Sequence, residues 1–327
     1  MQAWRTHEGT VRLEEVDAPE PAADELLVEV EVCGVCRTDL HVVDGDLPVH
    51  RSHVVPGHQV VGRVVATGAD VGRSRPGDRV GVAWLHRTCG VCRWCRDGRE
   101  NLCPDATFTG WDVDGGYAEQ VVVPEAFAYP LPDDDEALGL APLLCAGIIG
   151  YRALRRANLP PGGLLGIYGF GSSAHITAQL ALAAGNRVVT VSRGEGNRRL
   201  AASLGVEVVP DEHGTPPEPL DSAIVFAPVG DLLVDALDAT TAGGTVVSAG
   251  IHMSPVSGLD YDRSLFRERD LRSVTANTRA DGAEFLSVAR NLGLGPSVTE
   301  YPLDEADRAL DDLREGRVSG SLVLRTG

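Results

Sequence analysis

The sequence predicts an α/β chain of two domains, a β-rich unit followed by a parallel-sheet unit, with a final segment returning to the first. Three observations predict it. Short β-patterned runs broken by Gly and Pro fill the first third of the chain. From about Pro142, alanine- and leucine-rich helical stretches alternate with short apolar runs. A cysteine-dense segment without hydrophobic periodicity interrupts the β-rich part, and 327 residues leave room for two separate cores.

In chain order, residues 27–33 alternate, with Val28, Val30 and Val32 on one face and Glu29, Glu31 and Cys33 on the other, as in a half-buried strand. Further β-rich pieces, including VVGRVVATG and GDRVGVAW, continue to about Val123 and read as a compact all-β unit with long functional loops. The runs LLGIYGFG, RVVTVS, DSAIVFAP and GTVVSAG then alternate with helical stretches, the pattern of βαβ units on a parallel sheet. TPPEPLD is a loop between sheet elements. After about Asn277 come a helical stretch, Ala283 to Asn291, and a terminal strand-like run, SLVLRTG, assigned to the first domain. The expected boundaries are 1–146, 147–277 and 278–327.

Four cysteines, Cys89, Cys92, Cys95 and Cys103, are spaced C-x2-C-x2-C-x7-C. That spacing brings four thiolates within reach of one tetrahedral ion, for which zinc is the usual occupant. All four positions are thiolates, so no position stays open for substrate and the ion is structural. Arg93, Arg96 and Arg99 within the lobe, residues 89–103, offset the negative charge of a four-thiolate zinc. Disulfides are disfavoured because the chain has seven cysteines, an odd number, in 327 residues. The N-terminus, Met1-Gln-Ala-Trp-Arg-Thr-His-Glu, has no apolar signal core, which points to the cytoplasm.

The net charge of −18 repels nucleic acid and anionic membranes. The longest apolar stretch, around Leu138 to Gly150, is too short to span a bilayer and contains Pro142. The chain has no lysine, which excludes Schiff-base chemistry and P-loop phosphate binding.

Three more residues form a candidate open site: Cys36 in CGVCRTDLH, His58 in VVPGHQVVG and Cys145 in APLLCAG. Each alone reads as a packed or surface residue. Two thiolates and an imidazole together leave a fourth position for water or a substrate oxygen. Gly169-Phe-Gly171-Ser-Ser-Ala174 follows the run LLGIY and opens a helical stretch, the context a dinucleotide-binding glycine turn requires. Gly169 makes the turn, Gly171 lets backbone reach a pyrophosphate, and Ala174 packs helix on strand.

With these blocks together, and with DGGYAE, the chain resembles the zinc-dependent medium-chain alcohol dehydrogenases over almost its whole length. The resemblance implies a GroES-like β-rich catalytic domain completed by the C-terminal segment, with a Rossmann domain between. It implies two zinc ions per chain, NAD(P), a small alcohol or aldehyde as substrate, and a homo-oligomer, dimer or tetramer. Carried over residue by residue, Cys36, His58 and Cys145 hold the catalytic zinc, and Asp39 orients His58. Thr38 accepts the substrate hydroxyl's hydrogen bond, a relay through the cofactor ribose ends at His41, and Arg37 sits against the cofactor pyrophosphate. By position relative to the pocket residues of relatives, Trp84 and Trp111 line the alcohol pocket; the competing reading for both is aromatic core packing. At the end of RVVTVSRG, where NAD-specific members place an acid, stand Ser192 and Arg193, so NADP is favoured.

Three positions depart from the family pattern. Gln59 replaces a glutamate beside the histidine ligand, the glycine loop reads GFGSSA, and Ser321 stands where many relatives carry an arginine. His50, His53 and His86 are expected on exposed loops without a role, and Cys33 as a small packed residue. The competing readings are the zinc-free quinone and enoyl reductase branch and a non-catalytic, zinc-stabilised nucleotide-binding protein.

Overall fold

The structure, a computed structural model, describes residues 1–209, 211 and 213–327. These divide into two compact units, one of residues 1–145, 276–287 and 297–327, the other of residues 146–275 and 288–296.

The first unit is organised by the strand Glu25–Val35. Its alternation buries Val28, Val30 and Val32, while Glu29 is exposed and Glu31 half-buried. It pairs antiparallel with Val60–Thr67, with Gln120–Pro124 and with the terminal strand Ser321–Arg325, where Leu322 lies opposite Val35. Val298–Pro302, Arg79–Val82 and Ala128–Pro130 complete a seven-stranded sheet. The last helix of the unit, Ala306–Arg314, places Ala306, Ala309 and Leu310 on one apolar stripe, as the helical period demands, and buries them in this core.

The second unit is a six-stranded, all-parallel sheet ordered Glu207–Val209, Arg187–Val191, Leu164–Tyr168, Leu220–Val225, Thr240–Ser248, Asp270–Ser273. Strand order reverses beside Leu164–Tyr168, the first strand of the unit, as in the doubly wound dinucleotide-binding fold. Both faces are covered, so the strands read as continuous apolar runs. Leu165, Ile167 and Val188 enter one core, and Leu164, Tyr168, Val189 and Val191 enter the other. Among the described residues no single helix is long and apolar enough to cross a membrane.

Candidate active site

The site is built at the first turn of the helix Arg37–Asp44, immediately after the long strand of the first unit. Cys36 is the N-cap: its sulfur accepts the Thr38 N–H at 3.3 Å, and its own N–H donates to Asp39 Oδ2 at 2.9 Å. This is a capping box with a thiol in the place of a hydroxyl. The backbone geometry that starts the helix therefore also aims Cys36 and Asp39.

Asp39 is almost fully buried and accepts three further bonds. Tyr117 donates its hydroxyl to Oδ2 at 3.1 Å, and the Gly57 N–H reaches Oδ1 at 3.1 Å. His58 Nδ1 lies 3.0 Å from the same Oδ1. A carboxylate can only accept, so Nδ1 carries a proton and Nε2 is the nitrogen turned to the two sulfurs. His58 Nε2 lies 3.3 Å from the sulfurs of both Cys36 and Cys145, and the three ligand atoms are mutually within 4.8 Å. Fixing the far nitrogen through a buried carboxylate is the usual way a metal-binding imidazole is oriented. In metal-free protein the Cys145 sulfur, followed by burial, pushes the Cys36 thiol well up. A divalent ion must displace protons to bind here, so its affinity rises with pH.

Gly57 explains the tightness of this corner. Its φ is +97°, and a Cβ would stand 2.3 Å from the Tyr117 ring and 2.9 Å from Cys33 Sγ. Cys33 is buried in the same core.

Thr38 is buried beside Cys36, Arg37 is exposed at the same turn, and His41 lies one turn further on with Nδ1 2.8 Å from Asp46 Oδ2. Trp84 meets the His58 ring edge-on at 4.7 Å between centroids and stacks on Phe108 at 5.2 Å and Trp111 at 5.9 Å. Gln59 is buried with its side chain against Gly34, where a Cβ would meet it at 2.9 Å. Ser321 is buried, with its N–H on the Ser297 carbonyl at 2.9 Å.

Cys89, Cys92, Cys95 and Cys103 converge separately, their sulfurs within 4.8 Å of one another. The Cys92–Cys95 and Cys89–Cys103 pairs are both 3.5 Å apart. Backbone N–H groups of Val91 and Cys92 bring the Cys89 thiol down to about 7, as suits a ligand held ready as thiolate. The lobe has little core, and most of its residues between Gly90 and Arg99 are exposed or half-buried. Arg93 and Arg99 lie over the Trp94 ring, 4.1 and 4.7 Å from its centroid. At the base, buried Glu100 accepts the Arg279 N–H at 3.0 Å and its Nε–H at 3.2 Å.

In the second unit Gly169 ends the strand Leu164–Tyr168 at φ +84°, with the Ala227 backbone 3.0 Å from where a Cβ would be. Gly171 differs. Its φ is −109°, and a Cβ there would meet nothing within 4 Å, so neither strain nor packing in the chain requires a glycine. Backbone left bare at the start of the helix Ser172–Ala183 suits the approach of a pyrophosphate. Ala174 is fully buried against the sheet. Ser192 is buried just past the strand Arg187–Val191 and Arg193 is exposed. Arg198 donates to the carbonyls of Ser192, at 3.2 Å, and Arg193, at 2.5 Å, while Arg199 pairs with Glu195.

One histidine reading is corrected. His86 is buried in the strand Leu85–Arg87, and burial lowers it to about 4, leaving it neutral. His50 is exposed, as expected, and its ring stacks on that of Trp111. The sequence reading assigned no role to Tyr117 or Phe108. The C-x-x-D spacing before a helix was the available signal for the capping box, and a tyrosine directly after two glycines was the signal for Tyr117.

A β-rich unit carrying one closed and one open ligand cluster, with a glycine-turn parallel-sheet unit, defines an oxidoreductase of the two-domain dehydrogenase class. Residues 22–133 match the alcohol dehydrogenase GroES-like domain and residues 174–291 the zinc-binding dehydrogenase domain. The chain is 54% identical over 335 residues, 99% of this chain and 97% of the relative, to "Probable alcohol dehydrogenase AdhA" of Mycobacterium tuberculosis. It is 33% identical to an alcohol dehydrogenase of Geobacillus stearothermophilus, over 96% of this chain and 95% of that one. Cinnamyl alcohol dehydrogenase of Sorghum bicolor has the same fold, with a TM-score of 0.91 at 27% identity over 99% of this chain and 97% of that one. The chain belongs to the zinc-type medium-chain alcohol dehydrogenase family.

Asp39→Asn would turn an NH2 toward groups that are themselves donors. It should lower affinity at the Cys36–His58–Cys145 cluster by about 10–100-fold, measured by chelator competition, and leave the four-cysteine lobe loaded. Unchanged affinity at both clusters would show that the carboxylate does not set the site.

Proposed function

We propose that the chain is a zinc-dependent alcohol dehydrogenase that interconverts a primary or secondary alcohol and its aldehyde or ketone with NAD(P), NADP favoured. The observation that carries this reading is the open cluster: Cys36, His58 and Cys145 have ligand atoms within 4.8 Å of one another. It tells against the zinc-free reductase branch, which lacks that set. Two thiolates and an oriented imidazole suit zinc, which when bound supplies Lewis acidity that lowers the pKa of a substrate hydroxyl.

The chain's own groups supply the rest. Cys36, His58 and Cys145 would hold the catalytic zinc, and Cys89, Cys92, Cys95 and Cys103 a structural one. Asp39 keeps the His58 proton on Nδ1. The Thr38 hydroxyl, buried beside Cys36, accepts the substrate hydroxyl's hydrogen bond. His41, one turn on and near the surface, takes the released proton. Arg37 is a counter-charge for a cofactor phosphate. Gly169 makes the turn after its strand, and the bare backbone of Gly171 at the helix start suits a pyrophosphate.

Residues 1–146 and 278–327 are proposed as the catalytic domain and 147–277 as the cofactor domain, working as a cytoplasmic homo-oligomer on a small alcohol or aldehyde. The preference for NADP rests on Ser192 and Arg193 at the strand end, where a hydroxyl and a guanidinium can pair with a 2′-phosphate. Glu195, the acid nearby, is already paired with Arg199.

Thr38→Val should lower turnover by about two to four decades, the scale of a positioned proton-transfer group, with metal content unchanged. Wild-type turnover in that variant would misplace the proton path. Steady-state rates at saturating aldehyde should give a higher kcat/KM with NADPH than with NADH, and Arg193→Ala should weaken NADPH alone. Equal or better use of NADH by the unmutated protein would remove the basis of the NADP assignment.

A further inference from the structure

The loop around His50 and the loop around Trp111 are joined by a set of contacts that the ligand clusters do not need. The His50 ring lies on the Trp111 ring, 4.1 Å between centroids and 17° from parallel. His50 Nδ1 is 2.6 Å from Asp112 Oδ1, and the other oxygen of Asp112 accepts the Phe108 N–H at 2.8 Å. Trp111 Nε1 donates to the Pro48 carbonyl at 2.8 Å. Arg51 donates to Asp114 Oδ2 at 2.7 Å, and Asp114 Oδ1 accepts the Val55 N–H at 3.0 Å. Trp111 is thus clamped on one face by an imidazole and at its indole nitrogen by a carbonyl.

What the clamp holds is in contact with the metal cluster. Trp111 lies nearly parallel to Trp84, 10° apart with centroids at 5.9 Å, and Trp84 touches the His58 ring edge-on at 4.7 Å. The row His50–Trp111–Trp84–His58 runs from a partly exposed loop to a fully buried metal-binding imidazole. Trp84 is supported by the core. Trp111 is only half-buried, in a turn of non-repetitive backbone, and is held by ring contacts with Trp84, Phe108 and His50 and by its bond to Pro48.

We infer that His50 is a positioning residue for substrate specificity: its stack on Trp111 and its bond to Asp112 fix Trp111 as the outer wall of the alcohol pocket, limiting the width of tail admitted beside the open metal position. The inference rests on the dehydrogenase reading above. Widening a pocket by one or two methylene equivalents shifts discrimination by about 10–200-fold. Release of the wall therefore acts on KM for wide alcohols more than on kcat for narrow ones.

The test compares zinc-loaded wild type, His50→Ala and His50→Phe, the last keeping a ring over Trp111 without the Asp112 bond. The kcat/KM ratio for cinnamyl alcohol over ethanol should rise about tenfold or more in His50→Ala, mainly through KM, and return most of the way to wild type in His50→Phe. An independent arm titrates 4-phenylimidazole and imidazole, a wide and a narrow metal-directed probe, into each protein by calorimetry. The wide probe should gain on the narrow one in His50→Ala by a similar factor. A ratio unchanged in His50→Ala, or an equal loss for wide and narrow compounds not rescued by His50→Phe, overturns the inference. Wild-type protein that turns over neither alcohol overturns the dehydrogenase reading instead, and the probe arm still decides the role of His50.

Discussion

The Asp39 carboxylate is the group on which the geometry of the open site depends. It receives the Cys36 N–H, the Gly57 N–H, the Tyr117 hydroxyl and His58 Nδ1, all at 2.9 to 3.1 Å, in a place almost closed to water. Burying a carboxylate is costly unless its lone pairs are met, and four donors meet them. Hydrogen bonds to a charged group contribute about 1.5–3 kcal/mol each, so losing one acceptor strands several donors together. Through these bonds one side chain starts a helix, aims a thiol, selects the tautomer of an imidazole and ties the Gly57 and Tyr117 segments to the same point.

The two ligand clusters solve different physical problems. The open cluster is fixed by the capping box and by the buried Asp39–His58–Tyr117 contacts of a unit with a large core, so its ligands are positioned by the fold itself. The four-cysteine lobe has no comparable core. Its order comes from thiolate convergence, from backbone N–H groups on sulfur, from the arginines over Trp94 and from the Glu100–Arg279 contact at its base. An ion bound in the lobe would therefore be coupled to its local folding, and one bound at the open site much less so.

Much of this was legible in the chain because the signals are local. The alternation of Val28, Val30 and Val32 marks the long strand, the switch of texture near Pro142 marks the start of βαβ units, and Gly169 lies in a strand–turn–helix context. The convergence of Cys89, Cys92, Cys95 and Cys103 is likewise written in short spacing. The partners that were missed are distant in sequence. Tyr117 reaches Asp39 across 78 positions, and His50 reaches Asp112 across 62. The two glycines before Tyr117 mark it as a residue at a close approach but do not name Asp39 as its partner, and nothing beside His50 names Asp112. Cys33 sits on the glutamate-bearing face of its strand yet is buried, because the Gly57 turn and Gly116 pack over that end of the strand, and alternation cannot report such local cover. His86 is hidden for a similar reason: a short strand in a loop-rich region carries too few residues to show a period.

The most direct test of this account is the metal content of freshly purified, chelator-free protein beside that of Cys36→Ser and Cys92→Ser. The account predicts two zinc ions per chain in the unmutated protein. Cys36→Ser should keep one zinc and a near-native fold while turnover is abolished, and Cys92→Ser should lose the lobe's zinc together with thermal stability. One zinc or none in the unmutated protein, or full turnover in Cys36→Ser, would contradict it.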